Sequence, residues 1–254
     1  MSILNFRFRR LLGIAAMALA FAACQADENL STPISPSPPS PPPEVTTPEP
    51  EPEIIVKITS VDTVLSFGDS ITNGNGNTGI AYPIKLQALL QAQYPSQTIA
   101  VKNAGIDGEL AMDGVVRLAG TITPNDDLVI LLEGVNDTNN SVPTSSIINA
   151  LESMVQISQA SGKEVILCTL PPVFPNANGY YKADPIKVEE INAQIPSIAA
   201  SKGVILVDMY AAFGTDTNLM SDGLHPNDAG YQLMAEVLFN AIVTNFESTE
   251  TLSR

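Results

Sequence analysis

Along residues 61–245 the chain alternates short, β-branched apolar runs with longer stretches in which apolar residues return at helical spacing. The apolar runs are TVLSF (63–67), TIAVKN (98–103), DLVILLE (127–133), EVILCTL (164–170) and GVILVD (203–208). All have strand length and are rich in Val, Ile and Leu. Near-continuous apolar strands, rather than alternating ones, predict a sheet buried on both faces. The intervening patterns predict helices over 80–93, 111–121, 144–161, 185–201 and 227–245. Ile186, Ile191, Ile195 and Ile198, then Leu233, Val237, Leu238 and Ile242, mark their buried faces. Strands alternating with helices make parallel βαβ units, so the predicted fold is α/β, a doubly wound three-layer α/β/α sandwich on a five-stranded parallel sheet.

That pattern does not extend to the N-terminus. Arg7, Arg9 and Arg10 precede the apolar run LLGIAAMALAFAA, which is short for a bilayer span and ends in small residues before Cys24. Residues 1–23 therefore read as an export signal. The stretch FAAC (21–24) resembles the lipobox of bacterial lipoproteins, which implies acylation of Cys24 and a lipid anchor in the cell envelope. By the same resemblance, Gln25 in place of an aspartate points to the outer membrane. Residues 24–53 form a linker, and its stretch STPISPSPPSPPPEVTTPEPEPE (31–53) is too poor in apolar residues to repay its ordering entropy. At about 3.1 Å per residue, an extended proline-rich segment of that length reaches about 70 Å. The folded domain is expected over 54–254.

Charge and cysteine content narrow the function. The domain segment holds 9 basic and 21 acidic residues, a net charge of −12. Phosphate backbones and anionic lipid surfaces repel such a domain, so nucleic-acid binding is excluded as a function class. Only Cys168 remains once Cys24 is modified, so no internal disulfide is available, and its apolar run EVILCTL marks it as a buried, inert thiol. The chain has a single histidine, and no His/Cys cluster with the spacing of a zinc site. Neither a metal nor another cofactor is expected. The glycine-rich NGNGNTG (73–79) lacks the lysine of a phosphate loop and reads as a rim.

In open parallel sheets, sites form beyond the carboxyl ends of the strands. The loop after the first run carries Ser70, the second Gly105 and Gly108, the third Asn136, and beyond the fifth stand Asp222 and His225. A serine hydroxyl needs a base, an imidazole is that base near neutrality, and a carboxylate fixes the imidazole's tautomer. The tetrahedral intermediate then needs donors already in place, which the Ser70 amide, a glycine amide and the Asn136 carboxamide can supply. Each residue also has a structural role open to it: Ser70 as a helix cap, Asp222 as an Asx turn before Gly223, Asn136 as an ordinary loop residue.

The stretches GDSIT (68–72), NAGIDG (103–108), GVND (134–137) and DGLHP (222–226) resemble, in order, four blocks of the SGNH hydrolases, also called GDSL esterases and lipases. The resemblance spans about 62–245. It implies Ser70 as nucleophile, Ser70, Gly108 and Asn136 as oxyanion donors, and Asp222 and His225 as the remainder of a triad. It also implies hydrolysis of carboxylic esters, acyl or aryl, through an acyl-enzyme, of the arylesterase, lysophospholipase or thioesterase kind. An O-acetylated carbohydrate is the alternative substrate within the family. The segment Gly68-Asp69-Ser70-Ile71-Thr72 lacks the second glycine of the α/β-hydrolase elbow. Phe174, Tyr180 and Tyr181, in PPVFPNANGYYK (171–182), are candidates for the substrate pocket. A surface-binding module that kept the fold without the chemistry is the alternative of another class.

Overall fold

The computed structural model describes residues 54–76, 80–175 and 183–252. The signal segment 1–23, the linker 24–53 with Cys24, and the pocket candidates Tyr180 and Tyr181 lie outside the described residues.

Five parallel strands form the central sheet: β2 (Thr63–Gly68), β3 (Ala100–Gly105), β4 (Leu128–Leu132), β5 (Glu164–Cys168) and β6 (Ile205–Val207), in the order β3-β2-β4-β5-β6. Burial follows position. Every residue of β4 is buried, as are Val64–Gly68 of β2 and Val165–Cys168 of β5, while the edge strands β3 and β6 are mostly half-exposed. Helices α2 (Tyr82–Gln93) and α9 (Asp228–Phe246) pack together on one side, and α3 (Ala111–Thr121) packs with α5 (Thr144–Ala160) on the other. The core is apolar on both faces of the sheet, with Phe67, Leu128, Ile130, Leu131, Tyr82 and Tyr231 among its largest fully buried side chains.

The architecture agrees with the hydrophobic pattern, with four local differences. The run at 98–103 forms its strand two residues later, and the run at 203–208 contracts to three residues. The helix expected over 185–201 is two helices, α6 (Pro185–Asn192) and α7 (Ile195–Lys202). Pro196 has no amide proton to continue a helix through 194–196 and fits only in the first turn of a new one. The Asn192 side chain turns to the sheet instead, accepting from Leu170 N (2.8 Å) and donating to Leu170 O (2.9 Å). Ile186, expected on the buried face, is 67% exposed because it stands in the first turn of α6, while Ile191, Ile195 and Ile198 are buried. Short helices α1 (Ser70–Asn73), α4 (Val135–Asn139) and α8 (Met209–Phe213) follow β2, β4 and β6.

The fourth difference is an antiparallel ribbon of β1 (Ile54–Thr59) and β7 (Glu247–Leu252), in register from Ile54↔Leu252 to Thr59↔Glu247. It joins the amino-terminal edge of the sheet, where Ser60 N donates to Phe246 O and Thr59 N to Gln97 Oε1. Glu247 ties it down further by accepting from Gln93 Nε2 (2.6 Å) and Tyr94 Oη (3.1 Å) and pairing with Lys57 (3.0 Å).

Candidate active site

At the opposite, carboxyl-terminal edge, β2 ends at Gly68 and the chain turns at once into α1. A Cβ on Gly68 would stand 2.1 Å from Leu132 O and 2.4 Å from Thr72 Oγ1, so only glycine lets the turn pass this close to β4. Asp69 caps α1 by accepting from Ile71 N (2.9 Å), and Ser70 is the first helical residue. The cap is thus Asp69, which leaves the Ser70 hydroxyl for another partner.

That partner is His225. Ser70 Oγ lies 2.9 Å from His225 Nε2, and His225 Nδ1 lies 2.8 Å from Asp222 Oδ2. A carboxylate can only accept, so the ring proton sits on Nδ1 and Nε2 is left to accept from the serine. The two oxygens of Asp222 divide the work. Oδ1 accepts from Leu224 N (3.0 Å) and His225 N (2.7 Å), closing an Asx turn around Gly223, while Oδ2 holds the ring. Partial burial pushes the Asp222 carboxyl up, but the backbone and ring N–H groups of His225 and the Leu224 amide overcome it and hold it below the usual carboxylate range. The structural and the chemical readings of Asp222 therefore coexist in one side chain. Both Ser70 and His225 are buried, at 4% and 3% exposure.

The loop after β3 and the turn after β4 meet beside this group. Of the two candidate glycines, Gly105 donates its amide to Asn103 Oδ1 (2.9 Å), and a Cβ there would stand 2.2 Å from Asn73 N. Its role is to let α1 pack against β3. Gly108 has φ +76°, is exposed, and has open space where a Cβ would stand. Asn136, in α4, donates from Nδ2 to Glu109 O (3.0 Å), and Asp137 Oδ2 accepts from Ala111 N (2.9 Å). These two consecutive side chains staple the turn after β4 to the residues directly following Gly108. Donors from two loops are thus fixed relative to each other, and a serine activated by a carboxylate-held imidazole stands at the same edge. Such an arrangement can attack a carbonyl carbon and hold the resulting oxyanion.

Behind these turns lies a buried polar layer that the hydrophobic pattern and the motifs do not reveal. Arg117 of α3 pairs with Glu109, donates to Ala104 O (3.0 Å) and lies 3.9 Å from the Phe67 ring centroid. Glu133, the residue before Gly134, is 1% exposed, and neither of its carboxyl oxygens takes a hydrogen bond among the described residues. Burial, reinforced by the charges of Asp69, Glu109 and Asp137, pushes it well above the usual range, with Arg117 opposing. Burial likewise pushes Asp69 to about 7. The only sequence signal for this layer was acidic residues inside apolar strand ends, which a strand reading absorbs as turn residues.

Phe174 is half-buried and donates its amide to Gly223 O (2.7 Å). A cavity of about 390 Å³ opens there beside Asp222, lined also by Pro175, Thr217, Met220, Ser221 and Gly223. Cys168 is buried, and desolvation holds its thiol far above the usual range, which leaves it unreactive.

Residues 66–233 match the model of the GDSL-like lipase/acylhydrolase family. An acetylxylan esterase of Geobacillus stearothermophilus is 28% identical over 216 residues, covering 74% of this chain and 96% of that protein. One from Xylanibacter ruminicola is 26% identical over 214 residues, covering 70% of this chain but only 42% of the relative. Among solved structures, a lipase/acylhydrolase from Enterococcus faecalis superposes with a TM-score of 0.62 at 25% identity, covering 76% of this chain and 99% of that one.

Proposed function

From the premise that the chain belongs to the GDSL-like lipase/acylhydrolase family, we propose that this serine esterase removes acetyl groups from O-acetylated carbohydrate through an acetyl-Ser70 intermediate. The observation that carries the chemistry is the unbroken relay from Ser70 Oγ through the His225 ring to Asp222 Oδ2, with separations of 2.9 and 2.8 Å. The carbohydrate reading is supported by the two acetylxylan esterases, one of them covered almost end to end.

In the reaction, His225 Nε2 takes the Ser70 proton as Oγ bonds to the acetyl carbon. The carbonyl electron pair moves onto oxygen, which the amides of Ser70 and Gly108 and the carboxamide of Asn136 stabilise. The imidazolium, held by Asp222, returns its proton to the sugar oxygen as the ester bond breaks. Water, deprotonated by the same nitrogen, then releases acetate and regenerates Ser70.

The test is a panel of p-nitrophenyl esters of increasing chain length beside acetylated xylan. The wild type is expected to prefer acetate and to release it from xylan. The Ser70→Ala variant should lose at least about a thousandfold in kcat. A preference for long acyl chains with no acetate released from xylan would replace the carbohydrate substrate by a lipid-like ester.

The N-terminal pattern supports a placement as well: export, removal of residues 1–23, and lipid anchoring through Cys24 in the cell envelope, with the proline-rich segment as spacer. In a bacterial host, Cys24→Ala is expected to move the protein from the membrane pellet to the soluble fraction. Retention in the pellet rejects the anchor.

A further inference from the structure

Ser70 and His225 stand on elements 155 residues apart, and proton transfer between them tolerates little drift, since a 1 Å misplacement costs on the order of 100-fold. Their own hydrogen bond cannot hold that distance through a catalytic cycle, because the Ser70 proton leaves and the oxygen is acylated. Something outside the reacting atoms has to hold the nucleophile's turn against the histidine's loop.

One side chain spans them. Tyr231, in the first turn of α9, is fully buried, and its hydroxyl donates to the carbonyl of Asn75 (2.7 Å). Asn75 in turn donates its amide to the carbonyl of Ser70 (3.0 Å), as does Gly74 (3.0 Å). On its own side, Tyr231 N donates to the carbonyl of Asn227, the cap of α9, two residues after His225. The turn it grips lies flat on the base: Gly76 has φ +83°, and a Cβ there would stand 2.5 Å from His225 Cβ and 2.4 Å from Ser221 Oγ.

We propose that Tyr231 is a positioning residue for the esterase reaction, its phenol latching the Ser70 turn to the His225 loop so that their separation survives acylation and deacylation. Unlike the Ser70–His225 bond, the latch uses no atom that reacts. Burial, with the charges of Asp69 and Asp222 nearby, holds the phenol above its ordinary range, so it remains a donor wherever the imidazole can act as a base. The proposal rests on the triad reading above.

The test is Tyr231→Phe, which keeps the buried ring and removes only the latch. Active sites are counted by stoichiometric labelling with a fluorophosphonate, and p-nitrophenyl acetate turnover is expressed per labelled site. The expected result is a kcat per site about tenfold lower, with KM and the number of labelled sites unchanged. Gly76→Ala, which leaves the phenol in place but pushes on His225, should lower kcat in the same manner. If Tyr231→Phe keeps its kcat per site, or loses turnover only through fewer labelled sites or a raised KM, the residue is structural and the proposal fails. A wild-type protein that takes no label at Ser70 overturns the triad reading itself, an outcome separate from the first.

Discussion

Asp69 and Glu133 are neighbours by strand register. Gly68 pairs with Leu132 across β2 and β4, so the next residue of each chain emerges on the same face of the sheet, beneath the nucleophile and the Asn136 turn. Two carboxyls buried together cannot both ionise cheaply, and Arg117 is already engaged by Glu109. Their folded-state values are raised, Asp69 to about 7 and Glu133 well above its ordinary range. A carboxyl raised in the native state keeps a proton that the unfolded chain, titrating near about 4, has given up. Native protein then binds more protons than unfolded protein above about pH 4, and stability falls as pH rises through the folded values, by up to about 1.4 kcal/mol per pH unit for each group. Glu133→Gln removes one titrating group while keeping the size and shape of the buried side chain. Thermal unfolding between pH 5 and 8 should show the variant's midpoint drawing ahead of the wild type's as pH rises, by about 2–4 °C per kcal/mol for a domain of this size. Parallel curves for the two proteins would mean that Glu133 is ionised throughout, paired in a way the folded state already compensates.

Elements were legible in the sequence to the degree that burial alone dictates them. The three inner strands are continuous apolar runs because both faces are covered, and they appear where the pattern puts them. Pattern gave less guidance where partners decide. ESTETL (247–252) is polar at nearly every position and becomes a strand only because IIVKIT (54–59), at the far end of the domain, pairs with it. The break between α6 and α7 could have been read from Pro196, but the isoleucines on either side continue one helical face and concealed it. For the site, the loops bearing Ser70, Gly108, Asn136, Asp222 and His225 could be located because strand ends locate them. The layer that supports them could not. The part played by Glu133 depends on how β4 aligns with a strand 64 residues earlier, and that of Tyr231 on a loop 156 residues earlier; in sequence both look like ordinary residues of apolar elements.

At the scale of the molecule, the two edges of the sheet carry separate duties. The carboxyl-terminal edge holds the triad, the glycine loops and the cavity beside Asp222. The amino-terminal edge holds the ribbon, together with the side chains of Asp127, which accepts from Thr63 N (2.8 Å), and Gln97, which donates to Thr59 O (2.9 Å). Closing the two ends of the domain into one ribbon restricts fraying of α9, since β7 begins directly at its C-terminus, and α9 is the helix whose first turn bears Tyr231. Stability and chemistry should therefore respond separately to damage at the ribbon. In an antiparallel ladder, one of any two adjacent residues donates its amide to the partner strand, so a Ser248→Pro, Thr249→Pro double variant must remove a ladder bond whichever of the two supplies it. The expected outcome is a lower unfolding temperature, by several degrees, with kcat at 25 °C within about twofold of wild type, because the sheet transmits little from one edge to the other while it stays folded. A scanning calorimetry trace and a p-nitrophenyl acetate assay on the same preparation decide it. If kcat collapses at a temperature where the variant is still fully folded, the ribbon holds the register of α9 against the Ser70 turn, and the division between the two edges is wrong.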